Sequence, residues 1–375
     1  MIFSCTKDNL QKGLNVVSHI SNKQVNLPVL QNVHLKAEGG SIVLSTTNLE
    51  IAMRISIRGK IDKPGEFTVP AKLFYDFVSL LPNDRVDVER VDQLLEVRCG
   101  DTATTMNGID AAEFPLIPQV ETTAVIKMPA QLVREALSQV AFAVSHSEAR
   151  PELSGVLLKF NEKTLTMAAT DSYRLSERKV ILTEPAQDRQ LIIPAETVNE
   201  VNRMLSVFKD DPEADDVLEL RLSDSQAVFV YGPAELITRT IDGNYPDYTQ
   251  IIPTVFTTEV IVGRNELIKA IKTASLFSRQ GVFDVILQIS PDTKKLTVTA
   301  NEVTRGTNTV SCDADITGKE NKMTVNFRYL LDGLNTMSSE GVTLKLIDAM
   351  NPCLVMPNGL LEPGSQTYIV MPIRQ

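Results

Sequence analysis

Three stretches of this 375-residue chain open alike: CTKDNLQKGLNVVSHI (residues 5–20), MPAQLVREALSQVAFAVS (128–145) and VGRNELIKAIKTASLFS (262–278). Apolar residues recur at helical spacing, as in Leu10, Leu14 and Val17 or in Leu132, Ala136 and Val140. Aligning Leu10, Leu132 and Leu267 gives offsets of 122 and 135 residues. A second trio, FTVPAKLFYDFVSLLP, LIIPAETVNEVNRML and MTVNFRYLLDGLNTM, aligns Pro70, Pro194 and Asn326 at offsets of 124 and 132. A third, LSTTNLEIAMRI, MAATDSYRLSER and VTANEVTRGTNT, aligns Asn48, Asp171 and Asn301 at offsets of 123 and 130. Three markers in one order at nearly one period are the signature of an internal repeat.

Each unit reads as helix, strands, helix, strands. Strand alternation is clear where Ile51, Met53, Ile55 and Ile57 face away from Ala52, Arg54 and Ser56. Pro70 and Pro194 fall at strand-to-helix junctions, where a missing N–H costs little. The first two units close on Pro-marked segments, IDAAEFPLIP and IDGNYPDYTQIIP. The expected fold is α+β, in three repeated domains over 1–121, 122–253 and 254–375, each with two helices packed on antiparallel sheets.

Composition removes several function classes. The N-terminal MIFSCTKDNLQKG has no apolar core of a signal peptide, and the purest apolar run, Val140 to Val144, is far too short to span a bilayer. Cys5, Cys99, Cys312 and Cys353 are scattered without CxxC spacing, which argues against a zinc site and suits a reducing cytoplasm. Aromatic residues make up only 5% and Trp is absent, a poor basis for stacking single-stranded bases. The acidic run KDDPEADD, Lys209 to Asp216, reads as a solvated loop because it lacks the calcium-loop pattern.

The net charge of −10 predicts repulsion from nucleic acid as a whole. The charge is segregated, however. The six helix candidates sum to +4 and the remainder to −14. The fifth alone, with Arg264, Glu266, Lys269, Lys272 and Arg279, carries +3. A weakly positive helical face in an acidic body can hold phosphates loosely.

Nothing asks for catalysis. The chain has no phosphate-binding loop, no dinucleotide fingerprint, no HExxH and no GxSxG. His19, His34 and His146 do not recur across units. No cofactor and no metal site is expected. The residues alone leave three readings open: a protein that holds DNA loosely, a protein-interaction scaffold without DNA, and a cleft enzyme on a repeated α+β scaffold.

The stretch LPVLQNVHLKAEGGSIVLSTTNLEI resembles the first domain of the bacterial DNA polymerase III beta subunit family, the sliding clamps. ATDSYRL (169–175), NYPDY (244–248) and YIVMPIR (368–374) are similar to that family's binding-pocket segments. The resemblance implies a homodimeric ring of three-domain protomers around double-stranded DNA, held by topology. Twelve helices spaced about 10 Å apart trace a circle roughly 38 Å across and leave a hole of about 28 Å. It also implies a non-enzymatic, cytoplasmic processivity factor that recruits the replicative polymerase, the clamp loader and other clamp-binding proteins, with no membrane role.

The implied peptide pocket comprises Leu153, Thr170, Ser172, Tyr173, Arg174, Leu175, Pro246, Ile251, Ile369, Met371, Pro372 and Ile373, with Leu175 and Ile251 as opposing walls and Arg174 holding polar groups of the peptide. Tyr173 stands where the family often has His, and Pro352 where it has a small polar residue. The implied DNA contacts are Lys23, Gln24, Lys72, Arg150, Arg203, Lys269 and Lys272. Ring closure is assigned to Leu276 and Phe277 of one chain against Phe74 and Met106 of the other.

Overall fold

The computed structural model describes residues 1–20, 27–147, 149–208, 216–359 and 366–374. The first repeat runs β1 (Ile2–Thr6), α1 (Lys7–Val17), β2 (Asn32–Glu38), β3 (Ser41–Thr47), β4 (Ile51–Ile57), β5 (Lys60–Lys63), β6 (Gly65–Pro70), α2 (Ala71–Ser79), β7 (Arg85–Val91), β8 (Leu94–Cys99) and β9 (Thr102–Asn107). The second runs β10 (Ala124–Pro129), α3 (Ala130–Val140), β11 (Gly155–Thr170), β12 (Arg174–Pro194), α4 (Ala195–Val207), β13 (Val217–Leu222), β14 (Gln226–Tyr231) and β15 (Ala234–Arg239). The third runs β16 (Thr258–Gly263), α5 (Arg264–Ser275), β17 (Asp284–Ser290), β18 (Lys295–Glu302), β19 (Gly306–Gly318), β20 (Asn321–Asn326), α6 (Phe327–Thr336), β21 (Gly341–Leu346), β22 (Cys353–Pro357) and β23 (Thr367–Val370).

Local chemistry explains the helix starts. The Thr6 hydroxyl accepts from the Asn9 amide at 3.3 Å, and the Asn326 side chain accepts from the Arg328 amide at 2.9 Å, each satisfying an orphan first-turn donor. α2 and α4 begin directly after Pro70 and Pro194. The first helices bury one stripe: Leu10, Leu14 and Val17 in α1, and Leu267, Ala270, Ile271 and Ala274 in α5. In α3 the counterpart of Leu10 is Val133, 1% exposed; Leu132 is 45% exposed, so the alignment on Leu132 is one residue out.

Hairpin registers correct a second marker. Thr47 lies opposite Ala52, Thr170 opposite Leu175 and Asn301 opposite Thr307. Asn301 is therefore the counterpart of Thr47 and Thr170, not of Asn48 and Asp171, and the third hairpin is one residue longer at its tip. The remaining marker holds: Asn32 opposite Pro70, Gly155 opposite Pro194 and Asp284 opposite Asn326.

The chain forms two compact units, residues 1–134 with 196–240, and 135–195 with 241–375. The first holds a five-stranded sheet (β5-β1-β7-β8-β9) and an eight-stranded sheet (β10-β13-β14-β15-β4-β3-β2-β6), and the second a ten-stranded sheet (β11-β12-β23-β22-β21-β16-β19-β18-β17-β20). All ladders are antiparallel, and α1 packs on α2 as α5 packs on α6. The second repeat is divided between the units because sheets run across repeat junctions. β15 pairs with β4, setting Ile237 opposite Ala52, and β23 pairs with β12, setting Ile369 opposite Leu175.

Of the described residues, no helix is long and apolar enough to cross a membrane, and no three His, Cys, Asp or Glu side chains are grouped to hold a metal ion. All four cysteines are free and buried; burial, with a smaller effect from Asp87, pushes the Cys5 thiol up to about 12, and burial alone does the same to Cys353. These thiols stay protonated at neutral pH. Most of the acidic run, 209–215, lies outside the described residues.

Candidate peptide-binding pocket

The β11–β12 hairpin turns through Asp171, Ser172 and Tyr173. The Thr170 hydroxyl donates to the Arg174 carbonyl at 2.7 Å and accepts from the Ser172 amide at 3.1 Å. The Asp171 carboxylate accepts from the Tyr173 and Arg174 amides at 2.9 and 3.0 Å. Ser172 sits in the left-handed region at φ 77°. This turn leaves Tyr173 63% exposed and turns Arg174 inward, 9% exposed.

Arg174 is paired to two carboxylates. Its Nε donates to Asp171 at 3.0 Å and its Nη1 to Asp332 of α6 at 2.5 Å. Its guanidinium lies 4.6 Å from the Tyr329 ring centroid and 5.4 Å from that of Phe142. Tyr173 lies nearly parallel to Tyr329, centroids 6.4 Å apart, which builds an aromatic ledge beside the turn. Arg174 therefore shapes the site, with two of its three guanidinium nitrogens committed to Asp171 and Asp332, whereas the resemblance assigns it to polar groups of a peptide.

The C-terminal strand supplies the other side. β23 runs along β12 from Thr367 to Val370; beyond it the Met371 amide donates to the Tyr173 carbonyl at 2.9 Å and the Ile373 amide to the Thr324 carbonyl at 2.8 Å. Pro372 bridges to Val325. Met371, Pro372 and Ile373 remain half-buried. Leu153, Leu157, Ala168, Leu175, Ile192, Tyr245, Tyr248, Leu354 and Ile369 form one apolar cluster, with Ile241, Ile252, Phe256 and Met356 packed against it. An apolar floor edged by an aromatic ledge and half-buried Met371 suits a short peptide with a few anchors.

Ten of the twelve expected residues lie on the hairpin base, its turn or the C-terminal segment, and the remaining two on the linker after β15. Pro246 is half-buried there, and one expectation changes. Ile252 packs on the cluster, whereas Ile251 is 43% exposed, because the 3₁₀ turn Thr249–Ile251 points it outward. Sequence reading missed Leu157, Leu354, Met356, Tyr329 and Asp332. Leu157 sits in the unbroken apolar run Val156–Leu158 of β11, which gives no alternation to mark its face, and Tyr329 and Asp332 arrive from a helix over 150 residues away, with no local signal.

The expected DNA contacts separate into groups. Lys23 and Gln24 lie outside the described residues. Lys72, Lys269 and Lys272 are exposed on α2 and α5. Arg150 is half exposed, with Nε 3.3 Å from Glu152 and Nη1 3.3 Å from the Ser172 hydroxyl. Arg203 is corrected: its guanidinium donates to the Asn15 carbonyl at 2.5 Å and to the Val16 carbonyl, and pairs with Glu200, so it neutralises the C-terminal end of α1. Two of the fifth helix's charges are also committed. Arg264 donates to the Leu334 and Met337 carbonyls, and Arg279 lies beyond α5, paired with Asp284 at 2.5 Å. For ring closure, Leu276 is 66% exposed and Phe277 half-buried, but Phe74 and Met106 are 0% and 4% exposed. Those two side chains belong to the core of their own unit; Leu73 of α2 and Leu80 just after it, 55% and 86% exposed, are the apolar side chains open to solvent there.

Comparison with known proteins agrees over the whole chain. Residues 1–118, 127–247 and 249–374 match the N-terminal, central and C-terminal domain families of the DNA polymerase III beta subunit. The beta sliding clamp of Synechococcus elongatus is 32% identical, over 99% of this chain and 98% of its own length. That of Staphylococcus aureus Mu50 is 29% identical, over 100% and 99%. Among solved structures, the Pseudomonas aeruginosa DnaN sliding clamp bound to griselimycin superposes with a TM-score of 0.92 at 27% identity, covering both chains fully. The Bacillus subtilis clamp does so with 0.91 at 28%, over 100% of this chain and 99% of its own. With all three domain families matched in order, the chain belongs to the bacterial DNA polymerase III beta subunit family, the beta sliding clamps, which are processivity factors and not enzymes.

Proposed function

We propose that this chain is one protomer of a closed head-to-tail homodimer that encircles duplex DNA without reading its sequence. Through the pocket around Leu175 and Met371 it tethers the replicative polymerase, the clamp loader and other clamp-binding proteins. The observation that supports ring closure is the repetition of strand edges. Twice within the chain, the last strand of one repeat pairs with the hairpin strand of the repeat before it, as β15 on β4 and β23 on β12. Among the described residues, β9 pairs only with β8, and the Gly306–Asp313 part of β19 only with β18. The first repeat thus has a last strand without a predecessor, and the third a hairpin strand without a successor.

A second chain supplies both. Thr307 occupies the position of Ala52 and Leu175, and Thr105, opposite Glu96, that of Ile237 and Ile369. The intrachain registers carried over set Thr307 against Thr105 and Gly306 against Met106 of the partner. Backbone pairing of two polar edges closes the ring, and exposed Leu276 adds apolar contact beside it. Lys72, Lys269 and Lys272 supply the weak phosphate attraction that a topologically held ring needs.

The decisive experiment loads the protein onto nicked circular DNA and then linearises it, with solution mass measured in parallel. A ring has twice the 41.4 kDa chain mass and runs off the cut ends. Retention on linear DNA, or a monomer that never stays on the circle, would overturn the reading.

A further inference from the structure

We infer that Glu177 and Tyr248 are positioning residues of the peptide pocket: a buried hydroxyl–carboxylate bond ties the linker turn after β15 to the face of β12 that carries Leu175. This rests on the pocket reading above. The Tyr248 hydroxyl donates to Glu177 Oε2 at 2.6 Å, and the two side chains are 6% and 8% exposed. Lys179 reaches the other carboxylate oxygen at 3.4 Å. Leu175 and Glu177 are two residues apart on a strand and so share a face. A tether at Glu177 therefore sets how closely the linker approaches Leu175.

The linker end of the tether is itself rigid. Tyr248 opens the 3₁₀ turn: its carbonyl accepts from the Ile251 amide at 3.0 Å, and that of Thr249 from the Ile252 amide at 3.2 Å. Asp247 accepts from the Thr249 amide and hydroxyl at 3.1 and 2.6 Å and from the Gln250 side chain at 3.0 Å. The Tyr245 and Tyr248 rings meet edge to face, centroids 6.3 Å apart. Movement of Tyr248 therefore moves Ile251 and Ile252 together. Hydrogen bonds to a carboxylate are stronger than neutral ones, and a buried carboxylate that loses its donor carries its desolvation uncompensated, so the bond selects one linker position. The first repeat lacks this device. The position of Glu177 is taken there by Arg54, which pairs with Glu235 of β15 at 3.4 Å and not with the linker.

The test compares Tyr248→Phe, Glu177→Gln and, as a direct pocket variant, Met371→Ala in the full-length protein. Amide hydrogen exchange at Ile251 and Ile252 reads the tether, and titration with a short synthetic peptide carrying aliphatic and aromatic anchors reads the pocket. Tyr248→Phe is expected to speed exchange at both amides at least tenfold and to weaken binding of that peptide at least fivefold. Glu177→Gln, which still accepts from the tyrosine hydroxyl, stays within twofold of the parent in both. If Tyr248→Phe lowers the melting temperature, Tyr248→Phe with Glu177→Leu removes both polar partners at once and carries the same comparison. Exchange or affinity within twofold of the parent in the tether-less variant overturns the inference, as does an equal loss in Glu177→Gln. Failure of the parent to bind the peptide, or unchanged binding in Met371→Ala, overturns the pocket reading itself and the positioning role with it.

Discussion

At Thr47–Ile51 and at Thr170–Arg174 the backbone makes the same turn. In the first, the Thr47 hydroxyl donates to the Ile51 carbonyl at 2.9 Å and accepts from the Leu49 amide at 3.0 Å, while Asn48 accepts from the Glu50 and Ile51 amides at 3.0 and 2.7 Å. The second repeats each bond with Thr170 and Asp171, and Leu49 and Ser172 both sit at φ 77°. The side chains on this shared frame diverge. Where the first repeat has Ile51, His34, Ser45, Ala52 and Thr68, the second has Arg174, Leu157, Ala168, Leu175 and Ile192. The first face is small and polar beneath a groove of about 950 Å³, with His34 beside Glu66 and stacked on Phe114 of its own linker. The second is an apolar floor with an aromatic ledge. One scaffold thus carries the proposed peptide pocket at one junction and a polar groove at the other, by exchange of a handful of residues.

The third repeat extends the comparison, with Gly306 at the position of Arg174, paired to β18 on one side and, among the described residues, to no strand on the other. The largest effect is expected there. Charged replacements at Leu276 and Phe277 together should convert dimer to monomer, since each buried side chain of this kind is worth about 1.5–3 kcal/mol. A double variant that stays dimeric on dilution, measured by sedimentation, places closure elsewhere.

Next is Arg174→Ala, which strands Asp171 and Asp332. It should cost about 3 kcal/mol, the low end for a broken buried pair because Asp332 is partly exposed, and weaken peptide binding more than tenfold. Ile51→Ala, at the same place in the first repeat, should also destabilise through its cavity but leave peptide affinity untouched. Equal losses of binding in the two would erase the distinction between the junctions.

Met371→Ala should weaken peptide binding by about 1–2 kcal/mol with the dimer intact, because the flexible thioether can repack around different anchors. Calorimetric titration against the parent decides it; equal affinities would make the C-terminal segment interdomain packing only.

His34→Leu installs the second repeat's residue in the first and should remove a pH dependence. Burial lowers the His34 pKa from its ordinary 6.5, with Lys36 acting the same way and Glu66 opposing. The unfolded chain therefore takes up the proton first, and stability falls as pH drops through 6.5 toward the lower folded value. Melting of parent and variant between neutral and mildly acidic pH should diverge; parallel curves would clear His34. The smallest effects are expected for Leu49→Gly and Ser172→Gly. Each relieves a left-handed residue but loosens the unfolded chain, so both should stay within about 1 kcal/mol and agree with each other. Opposite signs would show that the turns are not equivalent.

The repeat, the helix starts and the α+β alternation were legible because they are local. Apolar spacing follows helix and strand geometry, and a proline announces its junction without reference to the rest of the chain. Pro70 and Pro194 landed where expected for that reason. Leu132 and Asn301 were each one residue out, since true equivalence is set by burial and ladder register. The tips of the pocket were readable as segments, 170–175 and 369–373, but the roles within them were not. Arg174 looks like a free donor in sequence and becomes a buried pivot only because Asp332 arrives from 158 residues away. Phe74 and Met106 read as apolar interface side chains, but those side chains are buried in their own unit, whereas Leu73 and Leu80 are exposed; Arg203 reads as a phosphate contact and instead binds the last carbonyls of α1. Which way a side chain faces, and whether its charge is already spent, depends on partners brought together by the tertiary fold, because desolvation and pairing act through space and not along the chain.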